Sequence, residues 1–199
     1  MTSGSRHAGG GTLFTEPFLV VSHRARLTET ANEFAVRDRH GRPLGAVVEA
    51  DRSALRKALR MLTNSVRFRP HCFEVRDSGG SVVLKVRAHD SRFLVTRADG
   101  TPIGGIARDG RGRFTFSAQG RAIGTLAQRH GWDFAITDAG GGDVARASKT
   151  FDDTLADAFG SADNYVVEMF AQLTDPLASL VIAAALTLDT ALWHDATAG

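Results

Sequence analysis

The strongest chemical signal in this 199-residue chain is a cluster of cations. From Arg52 to Phe73 it carries Arg52, Arg56, Lys57, Arg60, Arg67 and Arg69 without one acid. Cations this close together suit phosphate groups, and near an acidic membrane each is worth about 1 kcal/mol. The same pattern also fits a plain helix face turned to water, as most charged faces are. These six residues are the lipid-binding candidates.

Other chemistry finds no support. The histidines at 7, 23, 40, 71, 89, 130 and 194 show no paired helical spacing and no cysteine partners, so no zinc site is expected. Cys72 follows His71, but neighbours on a strand point to opposite faces, which argues against a thiol and its base. One cysteine permits no intramolecular disulfide and suits a reducing compartment. The glycine clusters 9–11, 104–105 and 140–142 lack any phosphate-loop pattern and read as turns. Paired carboxylates occur only at Asp152-Asp153, in a loop-like acidic stretch. No catalytic residue and no cofactor is expected.

Charge is distributed unevenly. All 24 Lys and Arg lie in residues 1–149, against 14 acids, whereas residues 150–199 hold eight acids and no Lys or Arg. The net charge of +2 therefore conceals +10 followed by −8. Such asymmetry speaks to partners rather than to fold.

The elements that must position these groups begin with the segment from Asp175 to Trp193. Asp175 can accept the first free backbone N–H groups and Pro176 fits the first helical position, predicting a helix over 176–193. From Leu177 to Leu188 every residue is apolar or small, apart from the hydroxyls of Ser179 and Thr187, so the helix must be buried on all sides. The unbroken run covers about 18 Å, against about 30 Å for a bilayer core. No basic anchor follows Lys149, so a helix threaded through a protein interior is preferred to a membrane span.

The sheet that surrounds it is written as a repeat. Phe34-Ala-Val36, Phe73-Glu-Val75, Phe93-Leu-Val95, Phe114-Thr-Phe116 and Phe134-Ala-Ile136 each place two large apolar residues on one strand face. Each runs through a turn signal, such as Asp77-Ser-Gly-Gly80 or Asp99-Gly100, into a second β-like segment. The period is about one hairpin per 20 residues. A wider gap after the first holds Asp51 to Leu62, where Leu55, Leu59 and Leu62 predict an amphipathic helix. Five hairpins, the Phe18–Val21 run and Asn164–Phe170 make twelve strands. A sheet of that size buries its apolar face and removes its edges by closing around the helix. Residues 1–12 read as a flexible lead-in, without a secretory signal, and 13–195 as one domain.

In order and spacing, LFTEPFLVVSHRARL, NEFAVRDRHGRPLGAV, FLVTRADGTPIGGI and ADNYVVEMFAQLTDPLASLVIAAALTLD resemble the scramblase and LURP-one-related proteins. The resemblance implies a tubby-like fold: an all-β, twelve-stranded closed antiparallel barrel around a buried hydrophobic C-terminal α-helix. It implies a non-catalytic protein associated with phospholipid, by scrambling lipids or by binding anionic membrane lipids. It also implies a cytoplasmic location, peripheral at the inner face of the plasma membrane. The family's calcium segment falls on Asp163, Asn164 and Asp175, but Ser161 and Leu177 replace acids there, and calcium wants six or more oxygens. The expected partner is an anionic phospholipid surface, with no nucleic acid; a protein partner is not identified. The alternative is a soluble interaction or regulatory module on the same barrel. An enzyme or small-ligand carrier is disfavoured, because the helix fills the space a pocket would need.

Overall fold

The computed structural model describes residues 11–23, 33–50, 71–89, 92–110, 112–149 and 164–196. Their twelve strands are β1 (Phe18–His23), β2 (Glu33–Arg37), β3 (Pro43–Glu49), β4 (His71–Asp77), β5 (Val82–His89) and β6 (Arg92–Arg97), followed by β7 (Pro102–Arg108), β8 (Arg113–Ala118), β9 (Arg121–His130), β10 (Asp133–Asp138), β11 (Asp143–Lys149) and β12 (Tyr165–Met169). Each pairs antiparallel with its sequence neighbour, and β1 pairs with β12, Leu19 opposite Val167, to close the barrel. The expected twelve-stranded closed barrel is the observed one.

All five aromatic-and-apolar pairs face inward, from Phe34 at 4% exposure to Phe93 at 9% and Phe116 at 0%. Each hairpin also slips register just before its turn, at Val36/Arg37, Val75/Arg76, Val95/Thr96, Phe116/Ser117 and Ile136/Thr137. A bulge repeated at the same place in every hairpin adds the twist that closure needs.

Four of the five hairpin turns follow one plan. Asp38, Asp77 and Asp138 each accept two N–H groups of their own turn through Oδ1, and the residue three places on is a glycine with φ of 81–83°. In the β6–β7 turn Arg97 occupies the Asp position, and Asp99 supplies the oxygen, to the Thr101 N–H at 2.9 Å. The β8–β9 turn is a two-residue type, Gln119-Gly120, with φ of 51° and 75°.

Through the barrel runs α2 (Leu177–Ala196), with Leu180 to Leu186 at 5% exposure or less. Its start differs from the expected 176–193. Asp175 and Pro176 precede it, joined by a cis peptide bond, and the Ala178 N–H is taken by the Thr174 carbonyl at 3.0 Å. The Asp175 carboxylate instead accepts the Ser179 hydroxyl at 2.6 Å and the Arg97 guanidinium at 2.7 Å, so it ties the helix to the barrel wall rather than capping backbone. Gly104-Gly105 also departs from expectation, lying inside β7 and not in a turn. A Cβ on Gly104 would run into the Ser117 carbonyl and sit 3.1 Å from Leu180 Cδ1. The glycine is what lets helix and wall approach.

A short helix, α1 (Gly11–Thr15), precedes β1 and buries Leu13 completely, so the residues just before β1 already pack on the barrel. The predicted helix at 51–62 and residues 1–10 lie outside the described residues. Among the described residues no helix is long and apolar enough to cross a membrane.

The barrel has two unlike rims. At one, β-strands are joined by the tight turns 38–42, 77–81, 97–101, 118–121 and 138–142, and α2 begins. At the other, longer connections join β1 to β2, β3 to β4 and β11 to β12, and short ones of two to four residues join β5 to β6, β7 to β8 and β9 to β10.

Candidate functional site

Five neighbouring strands, β5 to β9, contain eight cations, Lys85, Arg87, Arg92, Arg97, Arg108, Arg113, Arg121 and Arg129, and no acid. Every strand acid lies elsewhere, at Glu33, Glu49, Glu74, Asp77, Asp133, Asp138, Asp143 and Glu168. Five strands about 4.8 Å apart make an acid-free wall about 20 Å wide.

Alternation puts these charges outside. On β6, Phe93 and Val95 enter the core while Arg92, Leu94 and Arg97 are exposed. On β5 the buried Leu84 and Val86 leave Lys85 and Arg87 outward, and on β8 the buried Phe114 and Phe116 leave Arg113 outward. Arg87 lies opposite Leu94 and Arg92 opposite Ala107, so Arg87 and Arg92 are diagonal neighbours.

Some of these cations are held. Lys85 Nζ donates to the Ala98 carbonyl at 2.6 Å, Arg97 to Asp175, and Arg129 to Asp143 of β11 at 2.7 Å. Among the described residues Arg87, Arg92, Arg113 and Arg121 take part in no ion pair. Three of those, Arg87, Arg92 and Arg113, lie toward the rim opposite the tight turns.

The rest of the wall answers its charges locally. Arg146 on β11 grips Asp133 on β10 at 2.8 and 3.0 Å, Arg76 grips Glu74 on β4, and Arg42 spans Glu16 and Asp38. The Arg146 hydrogen bond is the main reason the Asp133 carboxyl lies below its ordinary value, and Arg146 is correspondingly raised. Asp38 is also lowered: burial pushes it up, but the Arg42 and His40 N–H groups and their charges together outweigh that. The Thr101 N–H is the leading cause that lowers Asp99.

The six sequence candidates, Arg52, Arg56, Lys57, Arg60, Arg67 and Arg69, fall outside the described residues. Their segment joins Glu49 to His71, strand ends on the rim near which Arg87 and Arg92 lie. Of the calcium candidates Asp163 is likewise outside. Asn164 is 2% exposed beside the start of β12, whereas Asp175 follows its far end. The five residues of β12 separate them by about 16 Å, so the structure does not bring them into one coordination sphere.

A cavity of about 260 Å³ opens at the tight-turn rim, between Phe14 of α1, Pro17, Met169, Phe170, Leu173 and the helix residues Ala178 and Ile182. Phe170 stands at its lip, 54% exposed. The cavity lies between α2, the segment leading into β1 and the segment after β12, and does not border Leu180 or Ala184 in the middle of the helix.

Sequence reasoning missed the acid-free wall because it sought cations consecutive along the chain. The available signal was subtler. Between Val82 and His130 all acids, Asp90, Asp99 and Asp109, stand in connections, while the strands alternate core residues with Lys85, Arg87, Arg92 and Arg113.

A family model described as Scramblase matches residues 25–195. The crystal structure of an Arabidopsis thaliana protein is similar, with a TM-score of 0.55 and 12% identity over 89% of this chain and 94% of the plant one. No curated protein matches. At that identity the structural likeness speaks for the tubby-like fold alone.

Proposed function

Because the chain belongs to the scramblase family, we propose that it is a non-catalytic phospholipid-associated protein whose β5–β9 wall meets the anionic headgroups of a membrane surface. The observation that carries this reading is the wall itself: eight cations on five adjacent strands without one acid. The fold does not ask for it, since the inward residues are the same kind all round the barrel. Arg52, Arg56, Lys57, Arg60, Arg67 and Arg69, in the chain between β3 and β4, are proposed to add cations to the same contact. The cytoplasmic leaflet, where anionic lipids give a negative surface potential, is the surface that suits such a wall, and the proposed location is peripheral at the inner face of the plasma membrane.

In this reading attachment needs no calcium. Asp175 is neutralised by Arg97 and lies a strand's length from Asn164. The test is flotation of the purified protein with neutral or acidic vesicles, at low and high salt, with calcium or chelator. Binding to acidic vesicles alone, weakened by salt and indifferent to calcium, is expected. Equal binding to neutral vesicles, or none to either, sinks the proposal.

A further inference from the structure

We infer that Leu94 is a membrane-inserting anchor, the apolar half of a two-part attachment whose other half is the cations around it. The inference rests on the lipid-surface reading above and assigns it a specific point of entry.

Leu94 is 47% exposed in the middle of a strand whose neighbours Phe93 and Val95 are buried. A core-facing explanation is therefore closed to it, and its surroundings are unusual. Across β5 it faces Arg87, and across β7 it faces Gly105, which has no side chain to cover it. Arg92, two residues away on the same face, pairs with Ala107, and Ala107 pairs with Thr115. Leu94 thus stands above small neighbours, with a cation on each of its two near sides and no acid on five strands.

The occupant follows from charge complementarity. Cations set beside an exposed leucine match a layer with phosphates at its surface and hydrocarbon beneath, which is an anionic bilayer. Electrostatic attraction and a single apolar insertion are each marginal anchors, and together they hold.

Two measurements separate this inference from its parent. Leu94→Ala and wild type are floated with acidic vesicles over a salt series, and Leu94→Trp is mixed with vesicles of brominated acidic lipid, wild type providing the background of Trp132 and Trp193. Expected are about tenfold weaker binding for Leu94→Ala with an unchanged salt dependence, and quenching of the residue-94 indole beyond that of wild type. Wild-type binding that Leu94→Ala matches, with no added quenching at position 94, overturns the anchor and leaves the electrostatic reading standing. Failure of wild type to bind any vesicle overturns both, and binding to polyglutamate in that case reassigns the face to an acidic polypeptide. Because the side chain is half exposed and outside the core, thermal unfolding of both variants should match wild type.

Discussion

The inner and outer surfaces of this barrel obey different rules. Inside, the wall of β5–β9 and the wall of β10–β12 with β1–β4 are equivalent: Phe93, Phe114 and Phe116 on one side match Phe34, Phe73 and Phe134 on the other, all 9% exposed or less. Outside they part. One sector answers arginine with carboxylate on the same or next strand, as in Arg146–Asp133 and Arg76–Glu74. The other leaves Arg87, Arg92 and Arg113 facing outward without an acid on any of five strands. Since packing is satisfied equally in both halves, the outer difference is not a requirement of folding and marks where the molecule meets something else.

The largest expected effect tests the inner half of that comparison. Phe116→Ala lies in the basic sector and Phe73→Ala in the mixed one, and both remove a large buried ring from the same core. Each should lose about 3–5 kcal/mol of stability, measured by urea unfolding. A much smaller loss in one sector breaks the equivalence and means that the core there is loosely packed.

The outer half is tested by removing charge without touching packing. Arg87→Gln, Arg92→Gln and Arg113→Gln together should cost about 3 kcal/mol of binding to acidic vesicles, roughly a hundredfold, with stability unchanged. Neutralising Arg42, Arg76 and Arg146, outside that sector, in the same way removes as many charges from residues already paired with acids. It should weaken vesicle binding far less. Equal losses from the two triples would mean that net charge alone governs binding and that the sector has no special role.

The barrel was legible because its interior is encoded by spacing. Phe34-Ala-Val36 and its four counterparts put a pair on one face, and glycine-bearing turns, four with Asp and one Gln119-Gly120, fix where each hairpin folds back. The all-round apolarity of Leu177–Leu188 required an enclosed helix, and Ala178 to Thr187 of α2 are buried. Two local features were hidden for physical reasons. Gly104 looked like a turn because nothing in one dimension shows that Leu180 occupies the space of its absent side chain. Asp175 looked like a backbone cap because its actual partner, Arg97, is distant in sequence and reaches it only after the chain has closed into a barrel. The acid-free wall is hidden for the same reason: it is a property of neighbouring strands, and sequence order interleaves its cations with core residues and turn acids.

The smallest effect distinguishes how carboxylates act in the two sectors. Asp133, Asp38 and Asp99 all have folded values below the ordinary 3.8, set respectively by Arg146, by turn N–H groups overcoming burial, and by the Thr101 N–H. A carboxyl lowered by folding contributes stability that is fully present above its unfolded value and is lost as pH falls through the folded one. Stability should therefore hold from neutral pH down to about 4 and decline below it. Asp133→Asn should make that decline shallower, because its charge no longer has to be protonated in the folded state, and should leave vesicle binding at pH 7 unchanged. Acid unfolding followed by circular dichroism in parallel with flotation reads both. A weakened vesicle affinity in Asp133→Asn would show that the mixed sector also contributes to the membrane face, and the division between the two outer walls would fail there.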